Sequence, residues 1–176
     1  METQKREEKH LSIVVIGASG DLAVKKIFPA LFSLYCRNLL PKNFHCYGFA
    51  RTPMSNEAFR ESLMRRLTCR YTPGEEECRK LMDAFLARCF YIEGNYDDHA
   101  SFLKLKSILE ENEPQEQQVI RLFYFSVPPF LFMPVANSLS DAGLTSNIPE
   151  KRSCRVVIEK PFGRDRKSSD ELTAGL

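Results

Sequence analysis

No stretch of this chain stays apolar for the roughly 20 residues that a bilayer-spanning helix needs. Nothing in it therefore points to a membrane. The formal charge is only +2, too small to demand a nucleic acid or an anionic lipid surface as partner. The six cysteines (Cys36, Cys46, Cys69, Cys78, Cys89 and Cys154) form no CxxC pair, and their scattered spacing suits no zinc site, so no metal is expected. Residues 1–10, METQKREEKH, are polar and carry three glutamates. They form neither a secretory signal nor an acid-poor transit peptide. An oxidising compartment thus has no support, and the plain reading of the cysteines is free thiols. Internal repeats and low-complexity segments are also missing. Of the histidines, His10 falls in the polar tail, His45 in or beside a strand, and His99 early in a helix next to Asp97 and Asp98. None forms a recognisable Asp–His pair that would orient a general base.

What is there is ordinary globular material. The chain has 176 residues, 43% hydrophobic and 27% charged, enough for one domain with a sizeable core. Residues 11–18 form a short apolar run rich in β-branched side chains, suited to a central parallel strand buried on both faces. Residues 20–37 change to a helical period, with Leu22, Ile27, Leu31, Leu34 and Tyr35 on one stripe. Pro29 lies inside it and predicts a bend or a break. Further strands are expected at 44–50, 90–92, 119–127 and 156–159. Helices are expected at 55–67 with Ser55 as N-cap, at 75–89, at 97–111, and from Pro129 to about Gly143. A last helix begins near Ser168. Strands alternating with helices imply a doubly wound parallel sheet of Rossmann-like α/β type. The expected organisation is a polar tail over 1–10 and one domain over 11–176.

Two segments carry chemistry. Residues 13–29 read IVVIGASGDLAVKKIFP. Gly17, Gly20 and Ala23 form a GxxGxxA pattern, a relative of the dinucleotide fingerprint. Its small residues let the backbone approach a pyrophosphate and let the helix pack close to the strand. Amides at the helix start would point at the anion, and Ser19 and Asp21 could cap them. The plainer alternative is only a tight turn. The second strand bears on the choice of coenzyme. An acid at its end would bind the ribose 2′-hydroxyl of NAD, but no acidic residue occurs between Asp21 and Glu57. Arg51 stands there instead and could clamp the 2′-phosphate of NADP; otherwise it is a solvated surface arginine. The other segment, VVIEKPFGRD over 156–165, delivers Lys160 to the carboxyl edge of the sheet. There it could donate to a substrate hydroxyl or phosphate, or be a surface lysine. Pro161 redirects the chain. Val127-Pro128-Pro129 ends the fourth strand, either as a pocket wall or as a plain stop.

GASGDLAVKKIFPALFSLY, YGFAR, RLFYFSVPP and VVIEKPFGRD, in this order, resemble the glucose-6-phosphate dehydrogenase family over nearly the whole chain after Leu11. The resemblance implies NADP-dependent oxidation of glucose 6-phosphate at C1, with full-length members forming homo-oligomers. Gly17, Ala18, Ser19, Gly20, Asp21 and Leu22 would hold the coenzyme phosphates, Arg51 its 2′-phosphate, and Lys160 both substrate and coenzyme. Val24 replaces the first of the three lysines common after GDLA, while Lys25 and Lys26 remain. The family's RIDHYLGKE segment and its catalytic histidine and aspartate lie further along than Leu176. No catalytic base is therefore assigned here, and the fold is expected to stop before the β+α substrate and dimerisation domain. On this reading residues 1–176 bind NADP without oxidising the sugar phosphate; a non-catalytic regulatory module and a different small NADP enzyme are the competing readings. Residues 67–91 resemble the plastid type, which implies that Cys69 and Cys78 are candidates for a redox disulfide. The expected location is the plastid stroma by this resemblance, or otherwise the cytoplasm.

Overall fold

A computed structural model of the chain describes residues 9–69, 74–145 and 150–159. Among these residues five strands form one parallel sheet: β1 (His10–Ile16), β2 (Asn43–Ala50), β3 (Cys89–Glu93), β4 (Val119–Phe125) and β5 (Arg152–Ile158). Their order is β3-β2-β1-β4-β5. The chain winds outward from β1 through β2 to β3, then crosses back and continues through β4 to β5. This reversal leaves a crevice beside the carboxyl end of β1, where open α/β sheets bind ligands. β1 is the central strand, paired in register with β2 from His10↔Asn43 to Ile16↔Phe49 and with β4 from His10↔Val119 to Ile16↔Phe125. Burial on both sides explains its unbroken apolar run.

Helices cover both faces. α1 (Phe28–Cys36), α2 (Asn56–Met64) and α3 (Glu75–Leu86) pack on the face of Ile13 and Val15 through Phe28, Phe32, Phe59, Leu63 and Phe85. α4 (His99–Asn112) and α5 (Phe132–Asp141) pack on the face of Val14 and Ile16 through Phe102, Leu105, Leu109, Val135 and Leu139. The doubly wound α/β architecture expected from the alternation is thus present.

Local details refine the sequence reading. Pro29 does not interrupt the first helix. The residues before it, Ala23–Ile27, form a π-helical turn in which the Phe28 amide donates to the Ala23 carbonyl. A proline cannot donate to the carbonyl four residues back and crowds it; the wider turn absorbs both defects. Leu22 and Leu34, expected on the inward stripe, are exposed. Ser55 caps α2, its Oγ accepting from the Ala58 amide at 3.1 Å, but Ala58 itself faces outward and the helix ends at Met64. Cys89 opens β3 rather than closing α3. His10 is the first residue of β1 and only 4% exposed, so the domain begins within the segment expected to be a tail. Pairing of β1 with β2 and β4 buries it.

The amino end of the sheet holds a buried charge network that periodicity does not reveal. The Glu113 carboxylate accepts from Ser12 Oγ at 2.9 Å and from Arg121 Nη2 at 2.8 Å, while Arg152 Nε lies 3.5 Å away. Arg121 sits on β4 with side-chain exposure of 2%, and Glu113 caps the end of α4. A carboxylate so enclosed is tolerable only because each oxygen is satisfied.

Candidate functional site

The turn after β1 is fixed by backbone bonds to its neighbours. The Gly17 amide donates to the Phe49 carbonyl at 2.8 Å, and the Gly20 amide donates to the Gly17 carbonyl at 3.0 Å. Gly17 has φ +89°, and a Cβ there would collide with the Ser126 carbonyl oxygen and with Val127. Only glycine fits both the left-handed backbone and the close approach of the β4 end. Ala18 and Ala23 are fully buried, which seats the helix against the strand. Ser19, Gly20, Asp21 and Leu22 are exposed. The first amides of a helix lack intrahelical acceptors, so this exposed start offers donors to an anion.

Neither expected side-chain cap forms. Ser19 Oγ lies 3.2 Å from Thr52 Oγ1, tying the turn to the segment after β2. Asp21 accepts from Lys25 Nζ at 2.6 Å. That bond holds the Asp21 carboxyl below its usual range and offsets a negative charge that would otherwise repel a phosphate.

Arg51 directly follows β2 and is exposed. Its guanidinium carbon lies 5.2 Å from the centroid of the Tyr96 ring, a cation–π distance. Tyr96 is buried, which pushes its phenol up while the Arg51 charge opposes that shift. Arg51 lines a cavity of about 350 Å³ with Glu93, Asn95, Asp98, Ser101 and Lys104. The Asp98 carboxylate is committed to capping α4, accepting from the Ser101 amide at 2.9 Å and the Ser101 hydroxyl at 2.6 Å. Those bonds keep its acidity above that of a free carboxyl. Arg51 and Lys104 remain as the cations. Tyr96, Thr52 and Lys104 had escaped notice in the sequence. The run NYDD straight after the third strand was the signal for Tyr96, since loops at that edge carry ligand contacts.

The fifth strand ends beside the same edge. The Tyr124 hydroxyl on β4 donates to Glu159 Oε1 in a short hydrogen bond. Partial burial and then the Glu159 charge push the Tyr124 phenol up to about 12. This bond anchors the residue that precedes Lys160. Lys160 and Pro161 lie outside the described residues, as does the helix expected from Ser168.

Cys69 and Cys78 are joined in a disulfide, with Cα atoms 5.7 Å apart. Cys36, Cys46, Cys89 and Cys154 are free. Cys46 and Cys89 pair across β2 and β3. A hydrogen bond donated to Cys89 and then burial push the Cys46 thiol well up, so it is a poor nucleophile at neutral pH. Among the described residues no group of three His, Cys, Asp or Glu could hold a metal, and no helix is long and apolar enough to cross a membrane.

A family model for the NAD-binding domain of glucose-6-phosphate dehydrogenase matches residues 14–176. The chain belongs to the glucose-6-phosphate dehydrogenase family. It is 48% identical over 168 residues to the chloroplastic glucose-6-phosphate 1-dehydrogenase of Spinacia oleracea, covering 96% of this chain and 28% of that protein. It is 39% identical over 164 residues to the glucose-6-phosphate 1-dehydrogenase of Aspergillus niger, covering 93% of this chain and 31% of that one. A solved glucose-6-phosphate dehydrogenase in complex with glucose 6-phosphate superposes with a TM-score of 0.84 at 36% identity, over 99% of this chain and 35% of that one. The chain therefore spans about 28% of the length of its chloroplastic relative, and what it spans is the family's dinucleotide-binding fold.

Proposed function

We propose that these residues bind NADP in preference to NAD, as the coenzyme part of a protein that oxidises glucose 6-phosphate. The observation that carries the preference is Arg51 at the end of β2, beside Lys104 in one cavity, with no acid at that strand end to take a ribose 2′-hydroxyl. The residues present fit the coenzyme. Gly17 lets the turn fold tightly against the end of β4, the exposed start of the first helix meets the pyrophosphate, and Arg51 and Lys104 meet the 2′-phosphate. Bound NADP supplies the hydride acceptor. The chain's own residues bind and orient it, and Ser19 through Thr52 keeps the turn in register with the 2′-phosphate pocket.

Lys160 is the residue we assign to substrate and coenzyme contact. Glucose 6-phosphate as substrate and homo-oligomeric assembly belong to the whole protein on this reading. Likeness to chloroplastic relatives supports a plastid location. The Cys69–Cys78 bridge is the element we assign to redox control. Calorimetry with NADP and NAD on the same preparation tests the central claim: NADP should bind at least tenfold tighter, and equal affinities would overturn it.

A further inference from the structure

A second cationic cavity lies on the flank of the first helix. Lys25, Lys26, Pro29, Ser33 and Cys36 line one wall, and Arg66, Thr68 and Cys69 face them across about 330 Å³. Among the described residues no carboxylate lines it. Lys25 is held by Asp21, whose carboxyl also feels the charge of Arg66, whereas no salt bridge engages Lys26 among the described residues. Two hydroxyls, one guanidinium and two ammonium groups around one space make a donor set for a phosphoryl group. The cavity runs along the helix from Lys25 to Cys36, and its lining includes neither Gly17 nor Arg51.

We propose that this cavity is a second anion site, for a small phosphate-bearing ligand, and that the Cys69–Cys78 bridge sets its affinity. Arg66 is held at the end of α2, its amide donating to the Leu63 carbonyl at 2.8 Å, and Thr68 and Cys69 leave that end after Leu67, which is anchored in the core. The disulfide ties this wall to Cys78 in the first turns of α3. With the bridge closed, Thr68 and Cys69 are held against the cavity beside Arg66. Reduction frees Cys69 and lets the Thr68 side of the wall move while Arg66 stays anchored, so the donors no longer converge. Coupling between two sites is reciprocal, so an anion that binds the oxidised form better also makes the bridge harder to reduce. The redox half rests on the regulatory role assigned to the bridge; the anion site itself does not.

The test is calorimetric titration of the 176-residue chain with glycerol 3-phosphate, and separately with inorganic phosphate, in saturating NADPH. Binding should persist with NADPH present and fall at least tenfold in Arg66→Ala, with partial recovery in Arg66→Lys. Displacement by NADPH, or equal affinity in Arg66→Ala, would overturn the site. Tighter binding of the ester than of inorganic phosphate supports a phosphorylated metabolite; binding of inorganic phosphate alone overturns that ligand class. Cys36 gives a readout that needs no variant: glycerol 3-phosphate should slow its alkylation, and an unchanged rate counts against occupancy. Dithiol reduction should weaken binding about tenfold, and saturating ligand should lower the midpoint potential of the bridge by about 30 mV, the same factor expressed for a two-electron couple. Equal affinity in both redox states overturns the linkage and leaves the anion site standing.

Discussion

The guanidinium of Arg51 lies over the ring of Tyr96, 5.2 Å from its centroid, so the cation at the end of β2 is braced by a residue from the loop after β3. A braced guanidinium loses less freedom when it clamps a phosphate than one waving in solvent. Charge-assisted hydrogen bonds contribute about 1.5–3 kcal/mol. Arg51→Ala should therefore weaken NADP about 10- to 100-fold and leave NAD nearly unchanged. Equal losses for both coenzymes would remove the assignment.

Gly17→Ala should damage both fold and site. The φ of +89° is strained for any L side chain, and the new methyl meets the Ser126 carbonyl. The expected loss is about 1–3 kcal/mol in stability, read by urea denaturation. NADP binding should fall too, because relieving the clash moves the turn. A variant as stable as the parent would show that the β4 end yields freely.

The central strand, the glycine turn, the Ser55 cap and the alternation of strands and helices were legible because each depends on local sequence: a period, a special backbone angle or one capping oxygen. Tyr96 and Lys104 were not, since they reach Arg51 only once β3 lies beside β2. The network of Ser12, Glu113, Arg121 and Arg152 was equally hidden. Its members come from β1, the end of α4, β4 and β5, and each reads singly as a surface residue.

That network is the basis of another prediction. Glu113→Ala leaves the buried Arg121 charge with only Glu110, 4.0 Å away, as a carboxylate neighbour, which costs up to about 3–5 kcal/mol. Replacing both residues with apolar ones, Glu113→Leu with Arg121→Met, should restore much of that loss. A double variant no better than the single would mean that Arg152 and Ser12 depend on the carboxylate as much as Arg121 does.

Stability should fall on mild acidification. Burial lowers the pKa of His10 and of His45 from 6.5. With the folded pKa below the unfolded one, the unfolded chain takes up protons first. The contribution is therefore intact above about pH 6.5 and is lost as pH falls from there towards the folded values. Each imidazole contributes a slope of at most about 1.4 kcal/mol per pH unit. Denaturation midpoints between pH 7.5 and 5 should decline, and His45→Asn should reduce the slope. A flat profile would show that both rings accept protons in place.

The 176-residue chain should bind NADP without oxidising glucose 6-phosphate. Removing a hydride from C1 requires a base for the hydroxyl proton, typically a 10²- to 10⁴-fold effect. His10 and His45 lie on β1 and β2 towards the amino end of the sheet, opposite the glycine turn. His99 is exposed in the first turn of α4. Asp98 is spent on capping that helix, and Asp21 is paired with Lys25. A solvated lysine, with a reference pKa of about 10.4, orients a hydroxyl well but is a poor base at neutral pH. Purified chain at high glucose 6-phosphate should thus form no NADPH above background while calorimetry shows the coenzyme bound. Turnover that survives purification and vanishes in Lys160→Ala would place a working base among these residues.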